Sequence, residues 1–417
     1  MKSRKYFLFG SLLLILPIML SERNRPVAET LPPPEKVEVK VNPHIVTMLD
    51  DYDAHMEDLL EMTGTPGAAV AVVKDGDILY TNGFGIKQVG TKDSVDANTV
   101  FRLGSVSKTF ASILTGILAE QGKVDWDDEI VDYLPDFTLK PDSQSLKIKL
   151  KHVLSHTTGL PYHAYTNLIE DGVALDTMIK KLGSLDLIGD AGQIYSYQNV
   201  AYSIIDPVLR VATNLTYDSL LQQHIFDPLG MENASASYKA MINNPNVAQP
   251  HRMRHGWKHM PISDKYYNTI PAGGINASAN DMAKWLKGLI SESDALLEEK
   301  SINDVFEPVV TISKYKYRRN WPTLKKAHYA LGWRVLELED DTIIYHGGYV
   351  NGYRAEIAIS KKHNLGICVL ANAPSGFAGR SVPALYNLYT HHLDSIQSWE
   401  NQQNPIFSAT ATDIEEE

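Results

Sequence analysis

A single cysteine, Cys368, stands in a chain of 417 residues. No intrachain disulfide and no cysteine-based metal cluster can form. Cys368 sits in the apolar run 365–370, where a lone thiol reads as a small core residue. Basic charge is also short: 39 lysines and arginines face 50 acids, for a net −11 at pH 7. That balance argues against a surface built to wrap phosphate, so no nucleic-acid partner is expected. Long apolar runs are missing too. The uninterrupted stretch from Tyr6 to Leu20 is 15 residues, against the roughly 20 that a spanning helix needs. No cysteine follows it, which excludes a lipid-anchored bacterial lipoprotein, and the chain contains no internal repeat.

What is present begins with Lys2, Arg4 and Lys5 ahead of that stretch. They form the charged and apolar regions of an export signal, so residues 1–20 read as a signal peptide or signal anchor. Leu20 is followed by Ser21, Glu22 and Arg23, without a small-x-small cleavage site. The segment is therefore either removed or kept as an N-terminal membrane anchor with its basic end inside. Both readings place the protein in the periplasm or cell envelope. Residues 21–43 carry Pro26, Pro32 to Pro34 and Pro43 among charges and read as an extended tether. Residues 396–417, closing on Asp413 and three glutamates, read as a flexible acidic tail.

Between the tails, hydrophobic content of 44% and charged content of 21% fit a globular domain. Ala68 to Val73, the turn 74–77 and Ile78 to Tyr80 spell a β-hairpin. From about 105 to 300 helical spacing dominates: Phe110, Ile113, Leu114, Ile117 and Leu118 share one face, and Gly122 stops the helix. Ile343 to Tyr345, Arg354 to Ile359 and Gly366 to Leu370 read as strands, and a closing helix is expected around Val382 to His392. Strands at both ends with helices between predict an α/β (α+β) fold. Its antiparallel sheet is built from both chain ends and flanked by helices, with an inserted, mostly helical region.

Three elements carry the chemistry. Ser105 and Lys108 lie three apart at the start of the predicted helix, so their side chains share a face. A serine hydroxyl needs a base to become a nucleophile, and a desolvated lysine can supply one. The plain alternative is a helix cap followed by a solvated lysine. Tyr197 and Asn199 form the second element, in a segment too polar for a core strand. A tyrosine beside an ammonium has its phenolate favoured and becomes a candidate general base; a capped helix start explains the same residues without catalysis. The third is His346-Gly347-Gly348 after the strand 343–345. Its glycines would let a substrate lie against the strand edge, next to backbone N–H donors, or would simply form a turn.

In this order the elements resemble the S-x-x-K signature of penicillin-binding proteins and β-lactamases. The branch is the one with Tyr-x-Asn in second place, which groups class C β-lactamases, D-alanyl-D-alanine carboxypeptidases and esterases. The likeness extends through Pro66-Gly67-Ala68, Leu154-Ser155-His156-Thr157-Thr158-Gly159, Pro228-Leu229-Gly230-Met231, Ala272-Gly273-Gly274 and Leu331-Gly332-Trp333. It implies one serine hydrolase domain over 44–395, with sheet from about 44–100 and 325–395 and a helical region over about 101–324. It implies Ser105 as acylated nucleophile, Lys108 as its proton partner, Tyr197 as base and Asn199 as a substrate-positioning group. The oxyanion would be held by the backbone N–H groups of Ser105 and Tyr349, with His346, Gly347 and Gly348 along the substrate. No metal or organic cofactor is implied, and the substrate is a small molecule or a peptidoglycan-derived peptide. Many β-lactamases of this branch carry lysine where His346 stands, and a neutral imidazole lacks that fixed charge. The competing reading is a non-catalytic penicillin-binding envelope receptor; oligomeric state is left open.

Other candidates read as structural. His251, His255 and His259 suit an exposed hairpin better than a metal site. The run 314–326 holds six basic residues with Tyr315, Tyr317 and Trp321, and is expected to be a solvated insertion loop. His156 is expected to hold structure through hydrogen bonds.

Overall fold

The computed structural model describes residues 42–291 and 296–403. The export segment, the tether up to residue 41 and the tail from 404 onward lie outside the described residues.

The first helix, α1 (Pro43–Thr63), starts where the sequence reading ended the tether. Asn42 caps it by accepting the His44 N–H at 3.0 Å, and Pro43 occupies the first turn, where its missing N–H costs nothing. Gly64, at φ 60°, ends it. Ile45, Met48, Tyr52, Met56 and Leu59 form the buried stripe. Helix therefore replaces the sheet expected at 44–63, because the apolar residues recur every three or four positions rather than every two.

A hairpin follows: β1 (Gly67–Lys74) and β2 (Asp77–Gly85), joined through Asp75 and Gly76 at φ 52° and 83°. Two successive left-handed residues suit a two-residue hairpin turn. The other strands of the main sheet come from the second half of the chain. They are β3 (Val310–Thr311), β4 (Lys326–Tyr329), β5 (Arg334–Glu337), β6 (Thr342–Val350), β7 (Tyr353–Ser360) and β8 (Leu365–Ala371). The spatial order is 2-1-8-7-6-5-4-3, with every neighbouring pair antiparallel. Both chain ends thus build one antiparallel sheet, as expected.

Side-chain alternation divides the core into two layers. Ala68, Val70 and Val72 join Leu365, Ile367 and Val369 on the face covered by α1 and the last helix. Ala69, Ala71 and Val73 join Cys368 and Leu370 on the face covered by the helical region. There α2 (Ser107–Glu120) is buried along almost its whole length, the mark of a central helix. Its Phe110 stacks on Trp285 of α3 (Ala279–Ile290) at 3.9 Å between ring centres.

Two expectations at the far end need correction. The last helix, α4, runs Phe377–Gln403, so residues 396–403 belong to it and Ile396 is core rather than tail. The run 314–326 is not a solvated loop, because Tyr317 and Trp321 are buried against the sheet layer. His251 and His259 do pair in a small hairpin. The His251 ring binds Asn372 O and accepts the Val89 N–H, which commits both nitrogens to structure.

Candidate active site

Gly104 brings the chain to the sheet. At φ 52° it is left-handed, and a Cβ there would lie 2.8 Å from the Tyr349 carbonyl. Only glycine lets the turn press against the end of β6 this closely. The single 3₁₀ turn Gly104–Val106 then runs directly into α2. Ser105 is left partly open on the sheet side, and Lys108 is carried one turn deeper and fully buried.

Lys108 Nζ donates to Asn199 Oδ1 and to Ala272 O, both at 2.8 Å. It lies 4.7 Å from the Tyr197 ring centre and 5.2 Å from that of Tyr202. Burial, and then the charge of Arg334, hold its ammonium well below the usual lysine range. The neutral amine this favours has two N–H bonds, matching the two carbonyl acceptors and leaving the lone pair uncommitted.

The second element is set by its own cap and by His156. Gln198 caps the short helix Asn199–Tyr202 by accepting the Val200 N–H at 3.0 Å. His156 Nδ1 accepts the Gln198 N–H at 3.2 Å, and its ring lies 4.2 Å from that of Tyr197. His156 therefore plays the structural role expected of it. Asn199 spends Oδ1 on Lys108, so its amide N–H groups are what it presents to the crevice. Burial pushes the Tyr197 phenol up to about 12, against the opposing influence of the Arg334 charge and of a hydrogen bond from Ser105. This reverses the expectation of a favoured phenolate. Desolvation disfavours both charged forms, the ammonium of Lys108 and the phenolate of Tyr197.

The third element divides. Gly348 lies against the nucleophile turn: a Cβ there would sit 2.0 Å from Leu103 O and 3.1 Å from the Ser105 and Val106 nitrogens. Gly347 lines the crevice, as does Tyr349, whose side chain is exposed. His346 does not. It is fully buried, its Nε2 is 3.2 Å from Tyr329 Oη and its Nδ1 is 3.0 Å from Gly347 O. Burial holds the imidazole well below its usual range, hence neutral. The expected direct contact of His346 with substrate is not seen: it is fully buried against Tyr329, within electrostatic reach of Lys108, and does not line the crevice, whereas Gly347 does.

The crevice itself encloses about 320 Å³ and is lined by Ser105, Tyr197, Asn199, Gly347, Tyr349 and aromatic rings. Three cationic residues that the motifs did not single out as site residues also face it: Lys316, Arg334 and Arg354. Arg334 directly follows Leu331-Gly332-Trp333 and opens the strand Arg334–Glu337, which was the available signal.

The Beta-lactamase family model matches residues 52–390. An unguisins hydrolase of Aspergillus violaceofuscus is 26% identical over 362 residues, covering 80% of this chain and 63% of its own length. The chain thus spans just under two thirds of that relative. Protein flp of Staphylococcus aureus strain MW2 is 22% identical over 375 residues, covering 85% of this chain and 70% of its own. The octameric penicillin-binding protein homologue from Pyrococcus abyssi superposes with a TM-score of 0.72 at 20% identity, over 82% of this chain and 77% of that one. That likeness concerns the fold. With the family model spanning most of the described domain, the chain belongs to the Beta-lactamase family of serine hydrolases.

Proposed function

We propose that this protein is a serine acyl hydrolase that cleaves an ester or amide through a covalent acyl-Ser105 intermediate. The observation that carries this reading is the convergence of Ser105, Tyr197 and Asn199 on one crevice, with Lys108 beneath it bonded to Asn199 from 91 residues away.

Burial favours Lys108 as the amine and Tyr197 as the phenol in the resting site. Ser105 Oγ attacks the substrate carbonyl carbon while its proton passes into the Tyr197–Lys108 pair, leaving an ammonium. The tetrahedral oxyanion meets the Ser105 and Tyr349 backbone N–H groups, where one such donor is worth about 2.7–4 kcal/mol. Collapse breaks the bond to the leaving alcohol or amine, which takes the proton from Lys108. Water then repeats the cycle on the acyl-enzyme: its proton goes to the pair, its oxygen to the carbonyl, and Ser105 Oγ recovers its hydrogen as the acid departs. Asn199 supports this by holding Lys108 with its carbonyl and meeting the substrate with its amide.

Exposure to a neutral fluorophosphonate followed by peptide mass spectrometry tests the assignment. One adduct is expected, at Ser105, with none on a Ser105→Ala protein. An adduct elsewhere, or equal labelling of the alanine variant, overturns it. Labelling by a penicillin without turnover of any ester, amide or β-lactam would instead support the receptor reading.

A further inference from the structure

Two stretches that the catalytic chemistry leaves unused carry exposed cations. In the small hairpin 251–259, Arg252 lies directly across from Lys258, and like charges opposed on one face of a strand pair repel. Arg254 stands two residues along on that face. All three are exposed. The opposite face docks on the body of the protein: His251 is buried against Asn372, and Trp257 Nε1 lies 3.7 Å from where a Cβ on Gly64 would be. The second stretch is 314–321. Tyr317 and Trp321 are buried in it, the Tyr317 N–H donates to Lys314 O at 3.0 Å, and the Trp321 N–H donates to Tyr317 O at 2.9 Å. Those anchors fix the backbone and leave Lys314, Arg318 and Arg319 exposed.

The start of α4 and the end of α1 join the two stretches. Asn320 Nδ2 donates to Gly379 O at 2.8 Å. The next residue, Arg380, is exposed and reaches Met62 Sδ at 3.7 Å. Gly64, two residues beyond Met62, is the one that meets Trp257 of the hairpin. A continuous band results, cationic on the hairpin, at Arg380 and on the segment. Lys325 and Lys326 are paired with Glu339 and Glu337; the cations of the band have no such carboxylate partner among the described residues. The last turn of α1 brings one acid, Glu61. Large apolar side chains stand among these charges: Tyr315 is 84% exposed, Met62 69% and Met253 61%. They are three of the four most exposed large hydrophobic residues among those described.

A soluble polyanion would be met by the cations alone. Cations interspersed with tyrosine and methionine fit a surface that offers anionic groups above an apolar layer. There an amphipathic ring sits at headgroup level, and basic side chains are drawn by the negative surface potential. We propose that this band is a docking face for an anionic lipid bilayer. The chain carries a net −11, so its other faces are repelled by such a surface and the band sets the orientation of approach. Asn320 and Gly379 also line a chamber of about 380 Å³ that shares Lys316, Arg334, Gly347 and Arg354 with the crevice. Docking therefore sets the crevice beside the bilayer, next to acyl substrates held there. That consequence rests on the hydrolase reading; the docking itself does not.

The experiment is hydrogen–deuterium exchange of the full chain on vesicles of phosphatidylcholine, and on vesicles in which about a quarter of that lipid is replaced by phosphatidylglycerol. Amides of 251–260 and 313–320 are expected to exchange about tenfold more slowly on the anionic vesicles. Any insertion of the N-terminal apolar segment is common to both vesicles and cancels in the comparison. Lys314→Gln together with Arg318→Gln and Arg319→Gln is expected to remove the protection of the hairpin as well as its own. Arg252→Gln with Arg254→Gln and Lys258→Gln is expected to do the same to 313–320, because either change disables one shared face. Tyr315→Ser with Met253→Ser is expected to weaken protection at unchanged charge. All these variants are expected to be labelled at Ser105 by fluorophosphonate at the wild-type rate, which reports an intact fold. Equal protection on the two vesicles, or protection that survives either triple substitution, overturns the proposal. So does equal protection by soluble polyphosphate, which would identify a polymer-binding face instead. Failure of fluorophosphonate to label wild-type Ser105 would overturn the hydrolase reading and leave the docking face standing by itself.

Discussion

Gly348→Ala isolates the positioning of the nucleophile from the stability of the fold. The added methyl would lie 2.0 Å from Leu103 O, and Cβ contacts under 3.0 Å are essentially never seen, so strand β6 and the nucleophile turn must part by about 1 Å. The obstructing atom is backbone, and the Ser105 and Val106 backbone nitrogens also lie only 3.1 Å from the added methyl. A rotamer change cannot relieve it. Misplacing reacting groups by this distance costs about 10²-fold in rate, while overpacking of this kind costs about 1–3 kcal/mol of stability. Gly366→Ala is the control. Its methyl would meet Leu286 Cδ2 at 2.9 Å, the end of a flexible side chain of α3 that does not line the crevice. The assay pairs the rate of Ser105 labelling by a neutral fluorophosphonate with urea unfolding. Gly348→Ala is expected to label about 10²-fold more slowly while remaining folded, and Gly366→Ala to label at the wild-type rate. Labelling of Gly348→Ala within threefold of wild type would refute the claim that contact between β6 and the turn sets the reactivity of Ser105.

Two predictions concern protons. Labelling by the same neutral probe is expected to fall on the acid side as Lys108 becomes an ammonium, and to show no alkaline decline through pH 9.5, because Tyr197 holds its proton up to about 12; a bell-shaped profile centred near neutrality would contradict the neutral-pair assignment. Asp206, in the helix Ile205–Thr213, has its carboxyl pushed up to about 6 by burial, against Arg210 and with added repulsion from Asp176 and Asp218. A folded value above the unfolded one stabilises the fold fully below the unfolded pKa of 3.8 and loses that contribution as pH rises through about 6. Asp206→Asn is therefore expected to raise stability by about 1–2 kcal/mol at pH 8, after discounting for partial solvent exposure, and by almost nothing near pH 4. Equal urea midpoints for the two proteins at pH 8 would contradict it.

Much of the site was legible because it is written in short spacings. Ser105 and Lys108 are three residues apart, Tyr197 and Asn199 two, and the strand before Gly347 and Gly348 announces itself by its apolar run. The hairpin through Asp75 and Gly76 was equally plain, since left-handed turns demand particular residues. Boundaries fared less well. Pro43 looked like tether until Asn42 proved to cap a helix, and residues 396–403 looked like tail because their polar composition hides one buried contact, Ile396.

Taken alone, the amino-acid order determined which chemical groups are available and the local geometry of each motif, because those depend on neighbours within a few residues. The tertiary structure decided what those groups are in the site. Lys108 is driven toward the amine, and Tyr197 kept a phenol, by burial under segments up to 164 residues away. His346 is buried against Tyr329 and does not line the crevice, while Arg334 and Lys316 are brought into it. Desolvation and long-range charge are properties of surroundings, and the surroundings exist only once the chain has closed on itself.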